Sequence, residues 1–248
     1  MFCRSRRIKI SSYIKTLLFG IYPYIALVVL ILGSIIRYDR EPYTWRSGSS
    51  QLLRRKQLIA GSVLFHFGVL FIFAGHFVGL LTPIAVFDAF GVSHSSKQTL
   101  AVVAGGIAGS MALIGATLLV HRRLVDARVR ASSSNTDTLI IILLWMQLFL
   151  GLSTIPISIA HLDGHEMVKF MSWAQGIFTF NTAASSFIED AALIFKMHLF
   201  LGLTILLLFP FTRLVHMLSA PVRYIWRPGY QVVRKRSGRT APVRVAGE

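Results

Sequence analysis

The sequence predicts an all-α, polytopic membrane protein built as a five-transmembrane-helix bundle. Three observations predict it. Hydrophobic residues make up 54% of the 248 and charged residues only 15%, against about 25% charged in an ordinary soluble domain. The charges gather between long apolar runs instead of spreading evenly. Five of those runs reach the ~20 residues that a helix needs to cross about 30 Å of hydrocarbon.

The runs are residues 17–36, 58–81, 100–120, 139–160 and 191–217. Backbone polar groups inside a bilayer must be satisfied within the segment, so each run reads as an α-helix. Pro23 falls near the start of the first helix and Pro83 ends the second; Pro156 lies late in the fourth and Pro210 inside the fifth. A proline within a span removes an i→i−4 hydrogen bond, so the fifth helix is expected to kink at Pro210. Residues 168–180 are apolar and aromatic but short, the pattern of an amphipathic helix lying along an interface. The chain divides into a basic extension at 1–16, a membrane domain at 17–226 and a basic tail at 227–248. The apolar run after the basic start lacks a small-residue cleavage site, so it reads as a retained helix.

The net charge of +16 would suit nucleic acid, but its distribution argues for a membrane partner instead. Lys and Arg number six in residues 37–56, one in 82–98, four in 121–138, one in 161–190 and eight from 213 onward. Alternate connections are basic, which is the positive-inside pattern. The first and third connections and the C-terminus therefore face the cytoplasm, and the N-terminus faces outward. Arg4, Arg6, Arg7, Lys9 and Lys15 run against that orientation, yet the inside total is 18 against 7. The single cysteine, Cys3, excludes an intrachain disulfide and an iron–sulfur cluster, and no Cys-x-x-Cys-His is present for covalent haem.

Four histidines fall in two spans: His66 and His76 in the second, His198 and His216 in the fifth. Imidazoles in hydrocarbon are costly and mark function. On antiparallel helices, His76 pairs with His198 at the outer level and His66 with His216 at the inner level. Four imidazoles then supply axial ligands for two b-type haems, one above the other. The axial spacings disagree: ten residues span about 15 Å and eighteen about 27 Å. Helix tilt and the Pro210 kink are expected to absorb the difference. Gly68, Gly75, Gly79 and Gly202 flank the ligands and allow either a macrocycle or another helix to approach. His94, His121, His161 and His165 lie in connections or at helix ends and read as solvated or interfacial.

These residues sit in short stretches with a recognisable order: 21–24 (IYPY), 37–39 (RYD), 43–46 (YTWR), 64–66 (LFH), 75–77 (GHF) and 81–83 (LTP). They continue with Lys97 and Gln98, 104–106 (AGG), 122–124 (RRL), 128–131 (RVRA), 154–156 (TIP), 173–175 (WAQ), 209–211 (FPF) and 213–216 (RLVH). In these, over about residues 20–235, the chain resembles the gamma subunit of respiratory nitrate reductase, a membrane dihaem cytochrome b.

The resemblance implies haem ligation by His76 and His198 (distal) and by His66 and His216 (proximal), with a quinol site at Lys97 and Gly75. It also implies quinol oxidation near the distal haem, proton release outside, and electron delivery to an iron–sulfur beta subunit and a molybdenum alpha subunit. Lys97 is the only Lys or Arg in the second connection, where its ammonium can reach a quinone carbonyl or snorkel to the interface. Arg128, Arg130 and the tail fit docking of an iron–sulfur partner, and Arg122 and Arg123 fit haem propionates; topology with attraction to anionic lipid is the other reading of these basic segments. Two alternatives stand beside this reading: a dihaem cytochrome b of a different reductase, and a haem-free transporter or assembly protein.

Overall fold

A computed structural model describes residues 13–45 and 53–219. Among the described residues, five helices are long and apolar enough to cross a membrane. The first is α1 (Tyr13–Arg40), followed by α2 (Arg55–Leu81), the short α3 (Ile84–Ala89) and α4 (His94–Val125). Then come α5 (Ala127–Ala131), α6 (Asn135–Ser153), α7 (Ile155–Ala160), α8 (His165–Phe178) and α9 (Leu193–Leu208). Short 3-10 segments fill Pro42–Thr44, Ala184–Ile188, Phe209–Phe211 and Arg213–Ser219. One compact unit ends at His216. The calls on most of the extension 1–16 and on the tail 227–248 lie outside the described residues.

Local chemistry sets the helix ends. The Ser93 hydroxyl accepts from the Ser96 amide at the start of α4, and Ser134 does the same for Asp137 at the start of α6. The Asp126 carboxylate caps α5 by accepting from the amides of Arg128 and Val129 at 2.9 and 3.1 Å. Those amides, that of Val129 foremost, and the charges of Arg54 and Arg128 hold its carboxyl below the usual carboxylate range. Arg122 and Arg123 occupy the last turn of α4, where cations suit the helix dipole.

The prolines leave carbonyls that other side chains take up. Pro23 has no N–H for the carbonyl four residues earlier, and α1 relaxes into a π-turn at Leu17–Ile21. The Phe19 carbonyl there accepts from the indole of Trp173 in α8 at 2.9 Å. At the end of α2, Gln175 of α8 donates to the carbonyls of Leu80 and Thr82. The short helix expected along an interface over 168–180 forms at His165–Phe178 and packs into the bundle, burying Met171, Trp173, Ala174, Gly176 and Ile177. A core forms where Phe19 and Ala26 of α1, Trp173, Ala174 and Ile177 of α8, Ala184 and Ile188 of the connection, and Leu203 of α9 meet.

Packed pairs run α2 with α4, α4 with α6, α6 with α9 and α9 with α1, while α8 packs on α2 and α4. The α2–α4 pair is the closest. A Cβ on Gly68 would lie 2.5 Å from the Ala108 carbonyl oxygen and 2.7 Å from the Ala112 nitrogen, and one on Gly115 would strike the Phe65 nitrogen. Of the two uses expected for small residues, Gly68 serves helix packing. Large apolar side chains such as Ile31, Phe67, Phe71, Phe77, Ile107 and Phe149 face outward, as hydrocarbon requires of a bundle's surface.

The fifth span differs from expectation. The predicted run of 191–217 is α-helical only over Leu193–Leu208; Pro210 ends the helix instead of kinking it. Thr212 is extended (φ −121°, ψ 178°), and the chain re-coils as a 3-10 segment at Arg213–Ser219. His216 is therefore not on the fifth helix. The break is held in place: Arg37 of α1 donates to the carbonyls of Pro210 (2.6 Å) and Thr212 (2.8 Å). Gly33, one turn earlier, makes room for the proline ring, whose Cγ would be 2.8 Å from a Cβ there.

Candidate functional site: two histidine pairs and a buried lysine

The fold brings the four histidines of the spans together in twos. The rings of His76 and His198 face each other with centroids 6.3 Å apart. Those of His66 and His216 are also 6.3 Å apart. The first pair lies toward the end of the bundle where α2 finishes and α9 begins; the second lies toward the end carrying Arg37, Arg122 and Arg123. The axial mismatch disappears because the 27 Å figure assumed a continuous helix. From His198 the α-helix runs ten residues to Leu208, about 15 Å, matching the rise between His66 and His76. The rest of the sequence interval is spent in the turn at Pro210 and Thr212.

Three of the rings are oriented by their own backbone. Nδ1–H of His66 donates to the Ser62 carbonyl at 2.7 Å, that of His76 to Ile72 at 2.9 Å, and that of His216 to Arg213 at 2.5 Å. A hydrogen bond at Nδ1 fixes the tautomer and leaves Nε2 as the ring's acceptor nitrogen. His198 is held differently. Its ring rests on α6, with Cε1 3.0 Å from where a Gly151 Cβ would be, and its Nε2 is 3.4 Å from the Gln147 amide nitrogen. Gln147 also faces Gly202, whose Cβ would lie 3.1 Å from the same amide. Neither Gln147 nor Gly151 stood out in the sequence; a glutamine inside the fourth apolar run was the available signal.

Lys97 sits in the first turn of α4 with only 7% of its surface exposed. Its ammonium lies 3.8 Å from the Met171 sulfur of α8 and 4.2 Å from the centre of the Phe87 ring of α3. Among the described residues, no atom of another part of the chain comes within 4 Å of a Cβ position at Gly75 or Gly79. The remaining histidines do not join these groups. His121, His161 and His165 are exposed, and His94 is half-buried where its backbone and Cβ meet Gly164.

Arginines gather at the opposite end. Arg122 donates to the Leu53 carbonyl at 2.7 Å, Arg54 pairs with Asp126 at 2.9 Å, and Arg123 lies 3.9 Å from Asp137.

The model of the nitrate reductase gamma subunit family matches residues 15–236. The chain belongs to that family. It is 49% identical over 225 residues to the respiratory nitrate reductase 1 gamma chain of Escherichia coli (strain K12), covering 91% of this chain and 99% of that one. It is 39% identical over 221 residues to the nitrate reductase gamma chain of Bacillus subtilis (strain 168), covering 89% and 98%. A nitrate reductase-like protein of Mycobacterium tuberculosis (strain ATCC 25618 / H37Rv) is 32% identical over 222 residues, which cover 89% of this chain but 34% of that longer one. Family membership and the five apolar spans make the chain a multi-pass membrane subunit of a nitrate reductase.

Proposed function

We propose that the chain is the quinol-oxidising cytochrome b subunit of its nitrate reductase, with one haem b held by His76 and His198 and another by His66 and His216. The observation that carries this reading is the equal ring spacing. Two imidazoles sharing one metal, each nitrogen about 2 Å from it and about 1 Å from its own ring centre, have centroids roughly 6 Å apart. Both pairs stand at 6.3 Å. The Nδ1 anchors on His66, His76 and His216 support it, because they present Nε2 across the gap.

Such groups would supply a one-electron relay along the bundle. The protein's own residues do the rest. Lys97 and Gly75 form the quinol site beside the His76–His198 pair: the ammonium donates to a quinol oxygen, and the glycine leaves space for the ring. Oxidising one quinol to quinone releases two electrons and two protons. Protons leave on the Lys97 side, which faces outward; electrons pass to the arginine-rich, cytoplasmic side. There an iron–sulfur beta subunit receives them for a molybdenum alpha subunit that reduces nitrate. Alternation of connections rich and poor in Lys and Arg supports an outward N-terminus and a cytoplasmic C-terminus in the inner membrane.

Visible spectra of membranes holding the complex test the assignment. Dithionite-reduced b-type bands should lose one component in His66→Ala and a different component in His76→Ala. Unchanged bands in both variants would remove the haem reading. A C-terminal reporter read out as extracellular would invert the vertical order.

A further inference from the structure

We propose that Phe87 and Met171 are positioning residues that hold the Lys97 ammonium ready for a quinol oxygen; this rests on the quinol-site reading above. The argument begins with what other lysines do. Lys15 closes on Glu189 at 2.9 Å, Lys169 on Glu166 at 2.7 Å and Lys196 on the Glu189 carbonyl at 2.6 Å. Each saturates a donor with an oxygen. Lys97 is more buried than any of these, where an uncompensated ammonium is most costly. Yet its contacts among the described residues are a thioether and an aromatic face.

Both contacts are soft. An ammonium carries three N–H donors, and a thioether sulfur is a weak acceptor. An aromatic ring within about 6 Å attracts a cation through its quadrupole without accepting a directed hydrogen bond. Phe87 and Met171 therefore stabilise the charge and fix its place while leaving donors for a stronger acceptor. A carboxylate in the same position would hold the lysine and compete with substrate. Asp88 adjoins Phe87 in sequence but makes no ion pair with Lys97. Its charge favours the ammonium from a distance.

The two holders come from different elements. Phe87 lies on the short helix α3 that follows Pro83, and Met171 is fully buried on α8. Gln175, one turn beyond Met171, ties α8 to the Leu80 and Thr82 carbonyls just before Pro83. Placement of the ammonium is thus linked to the end of the helix that carries His76.

Steady-state kinetics with menadiol and nitrate, in membranes holding the assembled complex, test the proposal. Phe87→Leu removes the ring face and should raise KM for menadiol about tenfold, kcat falling by less than about threefold. Phe87→Tyr keeps the ring and should bring KM back to within about twofold of the parent. Met171→Leu keeps the volume and should raise KM by about threefold. Both b-haem bands should persist in all three variants. If Phe87→Leu leaves KM unchanged while Lys97→Ala raises it, the positioning role is wrong and the quinol site stands. If Lys97→Ala leaves KM unchanged, the quinol site itself is wrong. Haem loss in Phe87→Leu, or failure of Phe87→Tyr to restore KM, would make the role structural and also overturn the proposal.

Discussion

The two histidine pairs have the same ring separation but different supports. His76 and His198 both sit on α-helices, and a third helix, α6, presses on His198 through Gly151 and Gln147. His66 also sits on an α-helix, but its partner His216 hangs from a 3-10 segment beyond a broken helix. The position of His216 depends on Pro210 ending α9 and on Arg37 gripping the carbonyls on either side of Phe211. One pair is thus placed by regular packing and the other by a turn that must be actively held. The same geometry can be reached by two routes, and the routes fail differently.

That difference can be broken at three points. The largest effect should come from Gly68→Val, which drives a side chain into the Ala108 and Ala112 backbone. Because α2 carries a member of each pair, both haem signals should fall together, with assembled protein lost at a cost of about 3 kcal/mol or more. Retention of either signal at full strength would mean that the pairs do not share α2 as their common support.

Pro210→Ala should act on one pair alone. Restoring an N–H lets the helix propagate past Leu208 and swings His216 away, so the proximal signal should drop by more than half while the distal signal stays. Equal loss of both would show that the turn holds the whole bundle.

The smallest effect is expected from Gly151→Ala. Its added methyl lies 3.0 Å from His198 Cε1 and should displace the ring by a few tenths of an ångström. The expected cost is about 1 kcal/mol, read as a shift in the distal haem's redox midpoint with the proximal midpoint unmoved. An unmoved distal midpoint would show that α6 does not steer His198.

The five spans and the four histidines were legible because a bilayer imposes a length on every crossing and makes an imidazole inside an apolar run conspicuous. The pairing by depth followed from antiparallel neighbours. What stayed hidden depended on partners distant in sequence. A proline in an apolar run can kink a helix or end it; here the outcome is set by Arg37 and Gly33, 173 and 177 residues earlier in the chain. Counting 27 Å from His198 to His216 assumed a helix that the Thr212 backbone interrupts. Taken by itself, Lys97 read as a lysine reaching for the interface, and only the family resemblance pointed to quinol; nothing local announces that Met171 and Phe87 enclose it. Gln147 and Gly151 look like ordinary members of an apolar run until the ring of His198 is seen resting on them.

The near-contact of backbones between α2 and α4 has a mechanical consequence. Glycines at 61, 68 and 115 remove the cushion of side chains that lets most helix pairs slide. The two helices form a stiff beam, and His66 and His76 are fixed marks on it, ten residues apart. A bilayer that thickens or thins will tilt the beam without changing the interval between the marks. If the pairs hold the proposed haems, this construction would keep the distance between them constant whatever the thickness of the surrounding lipid.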